Sequence, residues 1–173
     1  MRKCLSLLFL FLISNVLSQE NEYFINANFD VNNRIVEIYQ TIDFTNTTTN
    51  NLEYIILNDW AHSYSKPTTS LGKRLSEDFT LNFQRSTKNQ RGFTSIIDIK
   101  SDNINLEHTR LKEKIDIIKV KLANALKPNE KITISLEYKI KIPVSDFTGY
   151  GIDKNNNINL SEWFLTLANV IDG

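Results

Sequence analysis

Lys131-Ile132-Thr133-Ile134-Ser135-Leu136-Glu137-Tyr138-Lys139-Ile140-Lys141-Ile142 puts an apolar side chain at every second position without a break. Successive side chains of an extended chain leave on opposite faces, so this period of two predicts a β-strand with one buried and one wet face. Pro143, which has no N–H to give a ladder, ends it, and Lys127-Pro128-Asn129-Glu130 forms the turn that leads in. Upstream, strand-like segments run at Ile115–Leu122 and Phe93–Ile99. At the start of the body, Tyr23, Ile25, Ala27, Phe29 and Val31 alternate with polar positions, and Val36, Ile38, Ile42 and Phe44 repeat the pattern, with Gln40 as the polar exception. Asn32-Asn33 between them reads as a tight turn, since Asn tolerates positive φ, and the pair reads as a hairpin. Leu52–Leu57 is a third strand after a polar turn. Between Ala61 and Asn89 the period changes: Leu71, Leu75, Phe79 and Phe83 are spaced by four, along one face of a helix, with Ser70 as its cap and Pro67 in the lead-in. Many short strands, one short helix and no internal repeat predict a mainly β fold, a twisted antiparallel sheet or sandwich.

The 173 residues include 20 Lys and Arg against 20 Asp and Glu and are 41% hydrophobic, the balance of an ordinary globular chain. One core, and so one domain, is expected at this length. With no excess of basic charge to attract phosphate backbones, no nucleic-acid partner is expected.

Met1-Arg2-Lys3, an apolar run from Leu5 to Ile13, and small residues at Val16 and Ser18 make 1–18 a secretory signal peptide. The run is too short to cross a bilayer, which takes about 20 residues, so no membrane span is expected once the signal is removed. The mature chain, 19–173, is then secreted or periplasmic. Its one cysteine, Cys4, leaves with the signal, so packing without disulfides must hold the fold in an oxidising compartment.

The motifs of common hydrolases are missing. There is no G-x-S-x-G, and neither His62 nor His108 lies in H-E-x-x-H, where two His one helical turn apart face a single zinc. Asp153-Lys154-Asn155-Asn156-Asn157-Ile158-Asn159-Leu160-Ser161-Glu162 imitates the start of a calcium loop. It fails as one, with Ile158 where the sharp turn needs Gly and Phe164 where the bidentate acid belongs, and is read as a solvated Asn-rich hairpin turn. Asn46-Thr47-Thr48 and Asn159-Leu160-Ser161 fit the N-glycosylation pattern, and Glu77-Asp78 is a carboxylate pair best read as solvated surface. No catalytic residue and no metal ligand is assigned.

Several segments, in this order, resemble the amino-terminal domain of the aminopeptidase N-like zinc metallopeptidases (peptidase family M1), especially their secreted bacterial branch. They are Tyr23–Asn46, the stretch Leu57-Asn58-Asp59-Trp60-Ala61-His62-Ser63-Tyr64, then Leu71-Gly72-Lys73-Arg74-Leu75, Arg91-Gly92-Phe93 and Leu126–Ile132, and last Gly149-Tyr150-Gly151 with Trp163–Gly173. The likeness covers most of Glu22–Gly173. It implies a saddle-like β domain packed against a thermolysin-like catalytic domain that carries the zinc and cleaves amino-terminal residues from peptides. The zinc is expected in that domain and not in this chain, whose partners would be the catalytic domain of the same polypeptide and, through it, a peptide substrate. The chain is expected to be a fragment that stops where that domain would begin.

In many family members the segment matched by Glu162–Leu165 reads Q-x-E-x, and its Glu helps hold the free amino group of the substrate. Here Glu162 stands at the Gln place and Phe164 at the Glu place. Glu162, Trp163 and Phe164 are the candidate substrate-cleft residues. The apolar run Trp163–Ile171 is either an interface or a final strand covered by the same domain. The alternative function is a free-standing secreted β-sandwich module that binds glycan or protein.

Overall fold

The computed structural model describes residues 21–168, so the expected signal peptide and the final residues of the apolar run lie outside the described part. The strands, in chain order, are β1 Glu22–Asp30, β2 Ile35–Thr45, β3 Leu52–Asn58, β4 Phe93–Ser101, β5 Ile104–Asn105, β6 His108–Arg110, β7 Ile117–Leu126, β8 Lys131–Lys141, β9 Gly151–Ile152, β10 Ile158–Asn159 and β11 Thr166–Leu167. The single α-helix among the described residues is α1, Ser70–Glu77, and Trp60–Tyr64 and Ser145–Phe147 are 3-10 helices.

The alternating strand β8 occupies the middle of a five-stranded antiparallel sheet ordered β1-β2-β8-β4-β5. A second antiparallel sheet, β11-β3-β7-β6, covers it, and β9 and β10 form a small separate hairpin. Val36, Ile38 and Ile42 of β2 and Ile134, Leu136, Tyr138 and Ile140 of β8 meet Ile55 and Leu57 of β3 and Ile118, Val120 and Leu122 of β7 in one buried cluster. Each such side chain contributes about 1.5–3 kcal/mol by leaving water, which is why a period of two suffices to place the strand. Lys131, Thr133, Ser135 and Lys139 take the opposite face.

Two local readings are corrected. The residue with positive φ in the first hairpin is Arg34, at 55°, and the Asp30 carboxylate holds the turn by accepting from the Asn33 N–H (3.0 Å) and Nδ2 (2.7 Å). Gln40, the polar exception in the alternation, is buried in the core with its apolar neighbours. Its Oε1 accepts from the Tyr138 hydroxyl (2.5 Å), its Nε2 donates to the Leu165 carbonyl (2.6 Å), and the Leu165 N–H donates back to the Tyr138 oxygen (3.2 Å). The final segment is thereby tied to the first sheet while β11 pairs with β3 of the second. Burial raises the Tyr138 pKa far above the ordinary tyrosine value, so the ring stays a neutral donor.

The helix is shorter than the spacing of four predicts, and its cap is Thr69, whose Oγ1 accepts from the Gly72 N–H at 3.1 Å. Phe79 adopts φ 57° and the Thr80 N–H closes on the Leu75 carbonyl (2.8 Å), a left-handed helix stop without the usual glycine. Phe79 is consequently 90% exposed, while Phe83, beyond the stop, is fully buried in a second small core with Tyr64, Phe147 and Tyr150. Gly72 is required for close approach, since a Cβ there would lie 2.1 Å from the Pro67 carbonyl oxygen. The other strand limits move slightly: β7 runs Ile117–Leu126, against an expected Ile115–Leu122.

Candidate functional site

The 3-10 helix Trp60–Tyr64 follows β3 and starts from a buried carboxylate. Asp59 caps it, accepting at Oδ1 from the His62 N–H (3.2 Å) and the Thr94 hydroxyl (2.6 Å), and at Oδ2 from Arg110 Nη2 (2.6 Å). The Asp59 side chain is 1% exposed and that of Arg110 22%. A charge so far from water persists because its lone pairs are bonded and its charge is matched, and removal of the partner alone would strand it. Arg110 Nη1 also donates to the Ile115 carbonyl (2.8 Å), and the Ser63 hydroxyl donates to Asp116 Oδ2 (3.0 Å), so β6, β7 and the 3-10 helix are locked together.

Beside this cluster lies a cleft of about 430 Å³ lined by Asn58, Asp59, Trp60, Asp116, Glu162 and Phe164, among others. The pairing of β11 with β3, Thr166 opposite Asn58 and Leu167 opposite Leu57, brings the end of the chain to this place. The Leu167 N–H donates to the Tyr23 hydroxyl at 3.1 Å, which fixes the segment from the other sheet. Glu162 turns the chain with φ 48°, and Phe164 packs at 6.0 Å from the Tyr23 ring. Glu162 and Phe164 therefore line the same cleft. Trp163 does not line the cleft; it stands 5.8 Å from the Phe29 ring and 5.7 Å edge-on to Phe164, and packs against both cores.

Asn58, Trp60 and Asp116 were not singled out as cleft residues. The first two lie in the Leu57–Tyr64 stretch that carries the family resemblance, whereas Asp116 sits in an unremarkable turn with no local signal. With Asp59 matched by Arg110, the carboxylates left to face a ligand are Asp116 and Glu162, beside the aromatic surfaces of Trp60 and Phe164. Such a cleft suits a cationic amine carried on an apolar body.

The other motifs resolve as structure. Asp153 accepts from the Asn155 N–H (2.8 Å) and from the Asn157 N–H and Nδ2 (both 2.9 Å), which makes the calcium-like stretch the turn of the β9–β10 hairpin. Asn46 is fully buried, and its Nδ2 donates to the carbonyls of Asn50 (2.8 Å) and Leu126 (2.9 Å), so that acceptor pattern is closed to modification in the folded chain. Asn159 is exposed, with Nδ2 bonded to the Gly149 carbonyl at 3.1 Å. His62 belongs to the buried cluster and His108 lies exposed on β6, on different elements. Among the described residues no three His, Cys, Asp or Glu side chains gather where a metal could be held. No described helix is long and apolar enough to cross a membrane. No protein-family model matches the chain, and no curated protein sequence is significantly similar to it.

Proposed function

We propose that this chain is the non-catalytic amino-terminal β domain of a secreted zinc metalloaminopeptidase-like protein, and that it supports and partly walls the peptide cleft of a catalytic domain. The observation that carries the reading is the meeting of two family-like stretches, Leu57–Tyr64 and the segment from Trp163, which are about a hundred residues apart in sequence yet pair as neighbouring strands beside one acidic, aromatic cleft. In this reading Glu162 and Asp116 face the positive amino end of a peptide, and Trp60 and Phe164 flank its first side chain. The Asp59–Arg110 pair holds the wall in register. Zinc chemistry belongs to the partner domain, and none of it is assigned to residues of this chain. Reading the coding DNA beyond codon 173 tests the proposal. An in-frame His-Glu-x-x-His segment supports it; an immediate stop codon, or zinc-dependent peptide turnover by the purified chain itself, overturns it.

One observation favours a second reading, that of a secreted glycan-binding module. On the outer face of the first sheet, Phe24, Thr41, Ser135 and Lys100 form one cross-strand row and Asn26, Tyr39, Glu137 and Asp98 the next. Together they line a groove of about 740 Å³ in which Phe24 is 61% and Tyr39 60% exposed. Aromatic faces can cover the C–H side of a sugar ring while amides and carboxylates take its hydroxyls. A neutral-oligosaccharide array probed with the purified chain checks this: binding that Tyr39→Ala weakens tenfold favours the module, and a blank array excludes it.

A further inference from the structure

On the other side of the 3-10 helix from the acidic cleft is a cavity of about 490 Å³ lined by His62, Ser65, Lys66, Lys88, Arg91, Phe93, Thr94 and Ser95. Three features set it apart from ordinary surface. First, Lys66, Lys88 and Arg91 line it, no carboxylate does, and none of the three has an ion-pair partner among the described residues. Arg91 is oriented by donation from Nε to the Thr87 carbonyl at 3.3 Å, which leaves its terminal nitrogens free of any bond within the described chain. Cations gathered without a counter-charge repel one another, and an anion relieves that repulsion.

Second, the neutral polar residues Ser65 and His62 complete the lining. The Ser65 hydroxyl oxygen is buried and has no hydrogen-bond partner, a state that buried polar groups rarely keep. His62 Nδ1 lies 3.1 Å from the Thr94 N–H and 3.2 Å from the Thr94 carbonyl oxygen, so the Thr94 backbone holds the ring in either tautomer. Burial and the charges of Arg110 and Lys66 hold the His62 pKa below its ordinary value. The single acid that acts on His62, Asp59, is already bonded to Arg110 and Thr94 behind it.

Third, the cavity exceeds the space a bare tetrahedral ion fills, and the exposed ring of Phe93 forms one flank. The backbone around it is fixed by Gly92, where a Cβ would lie 2.6 Å from the Lys141 carbonyl oxygen. We propose that this cavity binds the tetrahedral oxyanion of a small ester, a sulfate or phosphate group carried on a sugar-sized body, with Lys66, Lys88 and Arg91 around the charge and Phe93 against the body. The proposal stands independently of the aminopeptidase-like reading.

The test is an NMR titration of the purified chain at constant ionic strength with galactose 6-sulfate, glucose 6-phosphate, inorganic sulfate, inorganic phosphate and chloride. Saturable shifts of the Ser65, Lys66, Arg91 and Phe93 amides are expected with the esters, tighter than with the inorganic ions and absent with chloride. The relative affinity of the two esters identifies which group the cavity prefers. Lys88→Gln/Arg91→Gln, both near the surface, should weaken ester binding at least tenfold with an unchanged circular dichroism spectrum, whereas Lys127→Gln, on a remote turn, should leave it intact. Shifts that grow linearly without saturation, that chloride reproduces, or that survive the double substitution would overturn the proposal.

Discussion

The two hollows beside the 3-10 helix Trp60–Tyr64 carry opposite charge. Asp59 and Trp60 face the cleft that holds Asp116, Glu162 and Phe164, while two residues further on His62 faces the cavity ringed by Lys66, Lys88 and Arg91. At three residues per turn, positions two apart leave the helix in widely different directions, so five residues suffice to wall one surface from the other. At the root of the 3-10 helix the buried Asp59 carboxylate, which caps it, is matched by Arg110. The acidic hollow is assembled from strand ends and the final segment. The basic one is assembled from His62–Lys66 ahead of α1, the irregular chain after it with Lys88 and Arg91, and the start of β4.

That difference predicts unequal damage. Phe83→Ala should have the largest effect, about 4 kcal/mol of stability in urea unfolding, because a fully buried ring leaves a void in the small core with Tyr64, Phe147 and Tyr150. Amide protection should fall around Lys88 and Arg91 and persist around Glu162. Arg110→Met should cost about 3 kcal/mol by stranding the Asp59 carboxylate, and the double variant with Asp59→Asn should recover part of this; full additivity of the two losses would show that the pair does not form the wall.

Tyr138→Phe should cost about 1–2 kcal/mol, since Gln40 loses its donor and the Leu165 N–H its acceptor. Here the loosening should appear in the segment bearing Glu162 and Phe164, leaving the basic cavity unchanged by NMR. His62 sharpens the comparison through pH. Its folded pKa lies below the ordinary 6.5, so the unfolded chain binds the proton more readily. The contribution is complete above pH 6.5 and is lost as pH falls through the folded value, with a slope of at most about 1.4 kcal/mol per pH unit. Stability measured from pH 7.5 to 5 should decline less steeply in His62→Gln. The smallest effect belongs to Phe79→Ser, within about 0.5 kcal/mol, because that ring is 90% exposed although its spacing matches Leu71 and Leu75.

The helix shows where reading by period reaches its limit. Leu71, Leu75, Phe79 and Phe83 keep one spacing throughout, but the chain leaves the helix at Asp78 and Phe79 turns it with positive φ, a position at which no Gly or Asn advertises the stop. Phe83 still reaches a core, by a route that spacing does not encode. Gln40 shows the same limit from inside a strand. Its place on the buried face followed from the period of two, yet the reason a polar group is tolerated there, the ring of bonds with Tyr138 and Leu165, joins residues 98 and 125 positions away.

Strand identity in this protein was written locally: β8, β2 and β3 follow from which side chains avoid water, a property each residue carries with it. Glu162 and Phe164 could be named from their neighbours in the chain, but the cleft around them could not, because Asn58, Trp60 and Asp116 arrive through the pairing of β11 with β3 and of β3 with β7. The basic cavity had no signature at all, its cations being spread from Lys66 to Arg91 without a motif. Burial preference acts within a few residues and so survives in the linear order. The direction and company of a charged side chain depend on register between distant strands, and that is settled only when the two sheets close on one core.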